Sequence, residues 1–137
     1  MPPPPGGVLI ATSICLEDVH PDAGPLNYVA GSHSIPPFLN VDGGRNVRTA
    51  EEQDQANWYY RSAMADRKMS DEYFLGNAGE VIIWHEQLMH GGSPIKNMAR
   101  TRKSLVTHYW RCAEMDPAVL LPHGSGFYFN RPHQPVQ

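Results

Sequence analysis

The chain has no hydrophobic run long enough to cross a membrane, only two cysteines, no internal repeat and no marked excess of either charge. Each absence excludes something. Across 137 residues, 11 Lys and Arg stand against 14 Asp and Glu, giving a formal charge of −3. That balance offers no basic face for nucleic acid, and no Lys/Arg cluster points to an anionic membrane surface. No apolar stretch reaches the ~18 residues of a transmembrane helix, and residues 1–7 lack the charged and apolar regions of a signal peptide. Cys15 and Cys112 lie far apart in apolar, strand-like stretches. Two buried, reduced thiols in a cytoplasmic protein are expected, rather than a disulfide.

What is present is ordinary for a globular protein: 41% hydrophobic and 18% charged residues. Length and composition together predict one domain, or part of one, over residues 1–137. Met1-Pro2-Pro3-Pro4-Pro5-Gly6-Gly7 reads either as a polyproline tail or as a loop inside a larger fold.

Val8 to Glu17 is rich in β-branched residues and predicts a strand buried over most of its length. His20 to Pro25 is dense in turn formers, so a reversal is expected there. Leu26 to Ala30 predicts a short strand, ended by Gly31-Ser32-His33 and the Pro36-Pro37 break, and Gly43-Gly44 lies in a polar loop. Thr49 to about Lys68 is the one helix: Thr49 and Glu52 form a capping box, and Ala56, Tyr59, Tyr60, Ala63 and Met64 recur at helical spacing. Trp58, Tyr59 and Tyr60 cannot all face one core, so one should meet another element or a ligand. This helix is the candidate for closing over a substrate.

Glu80 to His85 predicts a strand, Leu88-Met89-His90 begins the next, and Arg102 to Trp110 forms a further one. Phe127-Tyr128-Phe129 is expected to pack back across the core. Short strands with a single helix indicate an all-β sandwich or jelly roll more than an α/β fold.

Two residues carry the chemistry. His90 precedes Gly91-Gly92, which strip side chains from its surroundings and allow close approach of a metal or ligand. A neutral imidazole suits Fe(II), which two histidines and a carboxylate hold with open positions. Arg102 follows twelve residues later, enough for a turn and a neighbouring strand, and alternation puts Arg102, Ser104, Val106 and His108 on one face. A guanidinium's planar fork grips a carboxylate in bidentate fashion, and the Ser104 hydroxyl can reach the same group.

Leu16 through His33, Gly79-Glu80-Val81-Ile82-Ile83-Trp84-His85 through His90-Gly91-Gly92-Ser93, and the strand from Arg102 to Tyr109 resemble, in that order, the signature segments of the phytanoyl-CoA dioxygenase family. The resemblance implies a double-stranded β-helix, a cupin-like jelly roll, that uses Fe(II) and 2-oxoglutarate. It implies His90 as the distal iron ligand and Arg102 as the anchor of the 2-oxoglutarate carboxylate, with Ser104 as a weaker candidate. Arg100 is the nearest rival, but the order Arg-Lys-Ser-Leu-Val-Thr-His-Tyr favours Arg102. The family's other two iron ligands form a His-x-Asp motif upstream of the strand at Val8–Leu16, where this chain has only its proline run. The chain is thus read as the C-terminal part of such a jelly roll, lacking its N-terminal part.

Other histidines are decoys. His20-Pro21-Asp22 is a His-x-Asp, but the resemblance places it in a turn after that strand. His85-Glu86 with His90 resembles a zinc-protease helix motif, yet the histidines are five apart, about 140° around a helix and on opposite faces of a strand. His33 and His108 are expected to be structural, and His20, His123 and His133 solvated. Glu17 and Asp18 are candidates for shaping the pocket.

Two functions compete. One is an oxygenase, active in its full-length form, that couples oxidative decarboxylation of 2-oxoglutarate to oxidation of an unactivated C–H bond in a small molecule or acyl-CoA. These 137 residues alone should then bind iron weakly and not turn over. The other is a non-catalytic jelly-roll remnant that binds an anionic ligand or a partner subunit through Arg102. Either way, missing strands would leave open sheet edges and a route to self-association.

Overall fold

A computed structural model describes residues 9–45, 47–111 and 115–129. Strand β1 (Leu9–Cys15) alternates as a half-buried strand must, with Ala11, Ser13 and Cys15 buried and Ile10 on the other side. It is the centre of an antiparallel sheet of order β4-β1-β6, flanked by β4 (Val81–His85) and β6 (Ser104–Trp110). Ala11 pairs with Trp84 and His108, Ser13 with Ile82 and Val106, and Cys15 with Ser104. Directly opposed residues share a face, so these eight side chains form the inner side of the sheet.

Strand β1 is exposed only at Ile10, in keeping with a strand buried over most of its length, but the outer side of the sheet as a whole is open. Ile10, Val81, Ile83, Leu105 and Tyr109 stand there between 44% and 66% exposed. The strand at 102–110 also starts later than expected, at Ser104, which leaves Arg102 in the preceding loop.

The second sheet has the order β3-β2-β5, from β2 (Leu26–Val29), β3 (Asp71–Phe74) and β5 (His90–Gly92). Strand β3 was hidden in the sequence because Asp71 and Glu72 break the apolar alternation. It exists because Phe74 and Glu72 pair with Leu26 and Tyr28. Strand β5 starts at His90, two residues later than the expected start at Leu88, and runs on through the two glycines. The sheets meet where the Trp84 ring lies 5.3 Å from the ring of His90. They meet again beside Gly76, where an added Cβ would touch both Phe74 of β3 and Cys15 of β1.

Helix α1 (Ala50–Asp66) forms where its cap predicts. Thr49 Oγ1 accepts from the Glu52 amide, while the Glu52 carboxylate accepts from the amide of Arg48, one residue before the cap. Two of the three consecutive aromatics meet another segment: Tyr59 donates to the Pro36 carbonyl, and Tyr60 accepts from the Phe38 amide. Trp58 is left 73% exposed.

The expected packing across the core is not found for Phe127 and Tyr128, and the side chain of Phe129 lies outside the described residues. These residues form β8 (Gly126–Phe129), paired only with β7 (Leu120–His123) in a separate hairpin, with Phe127 and Tyr128 exposed. The hairpin satisfies its own backbone, so nothing draws those rings inward. Cys15 is buried and free, whereas Cys112 and His133 lie outside the described residues. The described residues thus give mainly small antiparallel sheets with one helix, an all-β protein. No helix among them is long and apolar enough to cross a membrane.

Candidate functional site

His90 is held from both sides. Its backbone neighbour Met89 donates to Ser32 Oγ at 2.8 Å and accepts from the Val29 amide at 2.9 Å. Ser32 is almost fully buried, so it fixes the chain just before the histidine. Sequence reading treated Gly31-Ser32-His33 only as a strand terminator, although a serine between two turn residues is a common backbone anchor.

His90 Nδ1 lies 2.8 Å from the carbonyl oxygen of Leu88. A carbonyl only accepts, so Nδ1 carries the proton and Nε2 keeps its lone pair, the arrangement in which backbone carbonyls orient ligating histidines. The decoys show the reverse. Backbone amides of Asp22 and Gln87 donate to Nδ1 of His20 and His85, at 3.1 Å in each case. Their neutral rings therefore carry the proton on Nε2. His33 is exposed with its ring 6.0 Å from that of His85, and exposed His108 stands equally far from Trp110.

Arg102 sits in a clamped loop. Thr101 and the Lys103 amide both donate to the Glu17 carboxylate, the latter at 2.8 Å, and Lys103 Nζ lies 3.6 Å from its other oxygen. The hydrogen bond from Thr101, then that from the Lys103 backbone, holds Glu17 below its ordinary pKa. Leu16 donates to the Lys103 carbonyl at 3.0 Å, closing the clamp. Asp18 performs a similar service by accepting from the Ala78 amide at 2.8 Å. Glu17 thus fastens the loop that carries Arg102, while neither acid is in the wall of the cavity beside Arg102.

Arg102, Arg100 and Lys103 line one cavity of about 480 Å³, together with Ser93, Gly24 and Gly92. Ser93 Oγ is buried, with no hydrogen-bond partner among the described residues. Gly24 has φ +70°, and an added Cβ would stand 2.7 Å from the Ser93 carbonyl oxygen, so only glycine fits this wall. Two arginines in the wall of one cavity suit a carboxylate or phosphate, while the Lys103 ammonium is already turned to Glu17.

His90 lines a neighbouring cavity of about 340 Å³ with Tyr28, Asp71 and Met89. Tyr28 donates to Glu72 at 3.0 Å, and that bond raises its pKa and keeps it neutral. Gly92 lines both cavities, and a Cβ there would meet nothing within 4 Å. His90 and Arg102 are therefore brought to adjoining spaces, not to one pocket. Ser104 lies at the start of β6 opposite Cys15 and is not in the wall of the cationic cavity, whereas Arg100 is.

The fit to an iron centre is incomplete. Among the described residues no three His, Cys, Asp or Glu side chains converge, so they furnish one imidazole and not a ligand set. The fit to an anionic cosubstrate is better, for the reasons given by Arg102 and Ser93.

No curated protein matches the chain. The family model for phytanoyl-CoA dioxygenase (PhyH) matches residues 1–104, a stretch that includes His90, Arg102 and Ser104. That family is of the Fe(II)- and 2-oxoglutarate-dependent oxygenase type. With the match covering most of its length, the chain belongs to the phytanoyl-CoA dioxygenase family.

Proposed function

We propose that this chain forms the 2-oxoglutarate-binding part of an Fe(II)-dependent dioxygenase of hydroxylase type. The supporting observation is the cavity whose wall includes Arg100, Arg102 and Ser93, the last with a buried hydroxyl that has no hydrogen-bond partner among the described residues. Arg102 takes the distal carboxylate of 2-oxoglutarate, and Glu17 holds the loop that presents it. His90 offers its Nε2 lone pair to iron one cavity away, whereas Ser104, at the start of β6 and outside the wall of the anion's cavity, is assigned no contact with the anion. When bound, iron would supply the redox chemistry of C–H oxidation. The described residues give it one ligand, and a histidine and a carboxylate from elsewhere would complete the set.

We also propose the double-stranded β-helix as the architecture. Successive strands β1 to β6 fall in the first, second, second, first, second and first of the two antiparallel sheets, the alternation of a wound jelly roll. The buried free thiol of Cys15 supports a reducing, cytoplasmic setting. The substrate is a small molecule or acyl-CoA, and the open sheet edges and apolar outer face support self-association.

Titration of 2-oxoglutarate into the protein tests the central assignment. Hydrogen bonds to charged groups contribute about 1.5–3 kcal/mol each, so Arg102→Ala should weaken binding at least tenfold. Unchanged affinity would sink the assignment of Arg102. The second reading, a non-catalytic anion-binding remnant, is favoured by the lone iron-binding imidazole among the described residues. Under it, Fe(II) would leave 2-oxoglutarate affinity unchanged. The oxygenase reading requires Fe(II) to increase it once the ligand set is complete.

A further inference from the structure

The cavity beside Arg102 carries more positive charge than one carboxylate neutralises. Arg100, Arg102 and Lys103 stand in its wall, and no Asp or Glu does. Lys103 Nζ is matched by Glu17, 3.6 Å away. Arg100 and Arg102 form no ion pair among the described residues, whereas Arg45, Arg48 and Lys103 each do. Two guanidinium charges therefore remain at one wall.

The loop that carries both arginines is fastened at each end. The amides of Lys96 and Asn97 donate to the Asp22 carbonyl at 2.9 and 3.1 Å, and the Arg100 amide donates to the Asn97 carbonyl at 3.0 Å. At the far end the Lys103 amide is held by Glu17. Gly24 is fixed as well, since an added Cβ would stand 2.7 Å from the Ser93 carbonyl oxygen and 2.9 Å from Ile95 Cγ1. Backbone held in this way keeps two like charges two residues apart, a repulsion that solvent screens and a bound anion removes.

We propose that this cavity binds a phosphate dianion, free or as the end of a phosphomonoester, in competition with 2-oxoglutarate, and that Arg100 is the residue that favours it. The inference rests on the reading of Arg102 as the anchor of 2-oxoglutarate. In that reading the cosubstrate brings one carboxylate here, while its other carboxylate goes with the iron beside His90. One negative charge then meets two guanidiniums. A phosphate dianion answers both, because its oxygens accept from two arginine forks at once where a single carboxylate suits one. The volume of about 480 Å³ is that of a small-molecule site. Arg102 thus serves either ligand and Arg100 the dianion alone, so the two ligands exclude each other. Cosubstrate loading would fall as phosphate rises, which makes the cavity a point of regulation as well as of binding.

Calorimetric titration of the full chain with inorganic phosphate, sulfate, acetate and glycerol phosphate tests this, at fixed ionic strength and about pH 8, where phosphate is dianionic. Phosphate and sulfate should each bind about tenfold more tightly than acetate, the gain expected from a second charge-assisted contact. Glycerol phosphate binding as well as the free ion marks a phosphomonoester site, and weaker binding marks a site for the ion itself. Added 2-oxoglutarate should raise the apparent Kd of phosphate in proportion to its concentration. Arg100→Ala should weaken phosphate about tenfold and leave 2-oxoglutarate nearly unchanged, whereas Arg102→Ala should weaken both. Acetate binding as tightly as phosphate, no phosphate binding, phosphate binding indifferent to 2-oxoglutarate, or Arg100→Ala lowering both affinities equally would each overturn the proposal. The anion series uses the unaltered protein, so a variant that fails to fold leaves the test intact. Failure of 2-oxoglutarate to bind sinks the cosubstrate reading, and failure of phosphate to bind while 2-oxoglutarate does sinks this inference alone.

Discussion

Glu17 shows how much one half-buried side chain can organise. Its carboxylate gathers the hydroxyl of Thr101 and the amide of Lys103, and those bonds lower its pKa. The folded state favours the ionised form, so the clamp is intact above the ordinary glutamate value of about 4.3. It is lost as pH falls through the lowered value in the folded protein. The Lys103 amide resonance should therefore titrate on the acid side of 4.3, and Glu17→Gln should remove that titration and weaken 2-oxoglutarate binding. A Lys103 amide that does not respond to acid would refute the clamp. Gly24 makes a steric case on the opposite wall. With φ +70° and the Ser93 carbonyl 2.7 Å from any Cβ, Gly24→Ala should destabilise the protein by about 2 kcal/mol or more in urea denaturation.

At the scale of elements, α1 owes its start to a single threonine. Thr49 Oγ1 satisfies the Glu52 amide at 3.1 Å, and Glu52 returns a bond to Arg48 while Arg48 also pairs with Asp42. Loss of such a cap costs about 1 kcal/mol, so Thr49→Ala should lower the urea midpoint by that equivalent and fray the first turn. The helix is tied through Tyr59 and Tyr60 to Pro36 and Phe38. Trp58 points away and should be replaceable with little loss of stability. Strand β5 is short and held largely through its neighbours: Tyr28 pairs with His90, and Ser32 grips Met89. Ser32→Ala should leave a buried amide unsatisfied, costing about 1–3 kcal/mol and loosening His90.

At the scale of the molecule, the outer face of the first sheet lies open. Ile10, Val81, Ile83, Leu105 and Tyr109 make a contiguous apolar surface on strands β4, β1 and β6. Surfaces of this kind associate. Sedimentation should report oligomers at micromolar concentration, and Ile83→Lys with Leu105→Lys should shift the protein toward monomer without altering 2-oxoglutarate affinity. A monodisperse wild-type monomer would contradict this expectation.

Much of this was legible in the residues alone. The cap at Thr49, the alternation through Ala11, Ser13 and Cys15, the turn at His20–Pro25 and the all-β class are local, because strand and helix periods and turn chemistry are written in neighbouring residues. The family, too, was carried by short ordered motifs. Only the tertiary structure decided the rest, since it depends on what lies across a gap. Pairing with β2 made a strand of Asp71–Phe74, and a carbonyl two residues away chose the tautomer of His90. Arg102 was placed in a loop clamped by a glutamate 85 positions earlier, in a cavity beside that of His90 rather than in the same one. The meeting of Gly24 with Arg100 and Arg102 in one wall has no sequence signature at all, because those stretches become neighbours only when the chain folds.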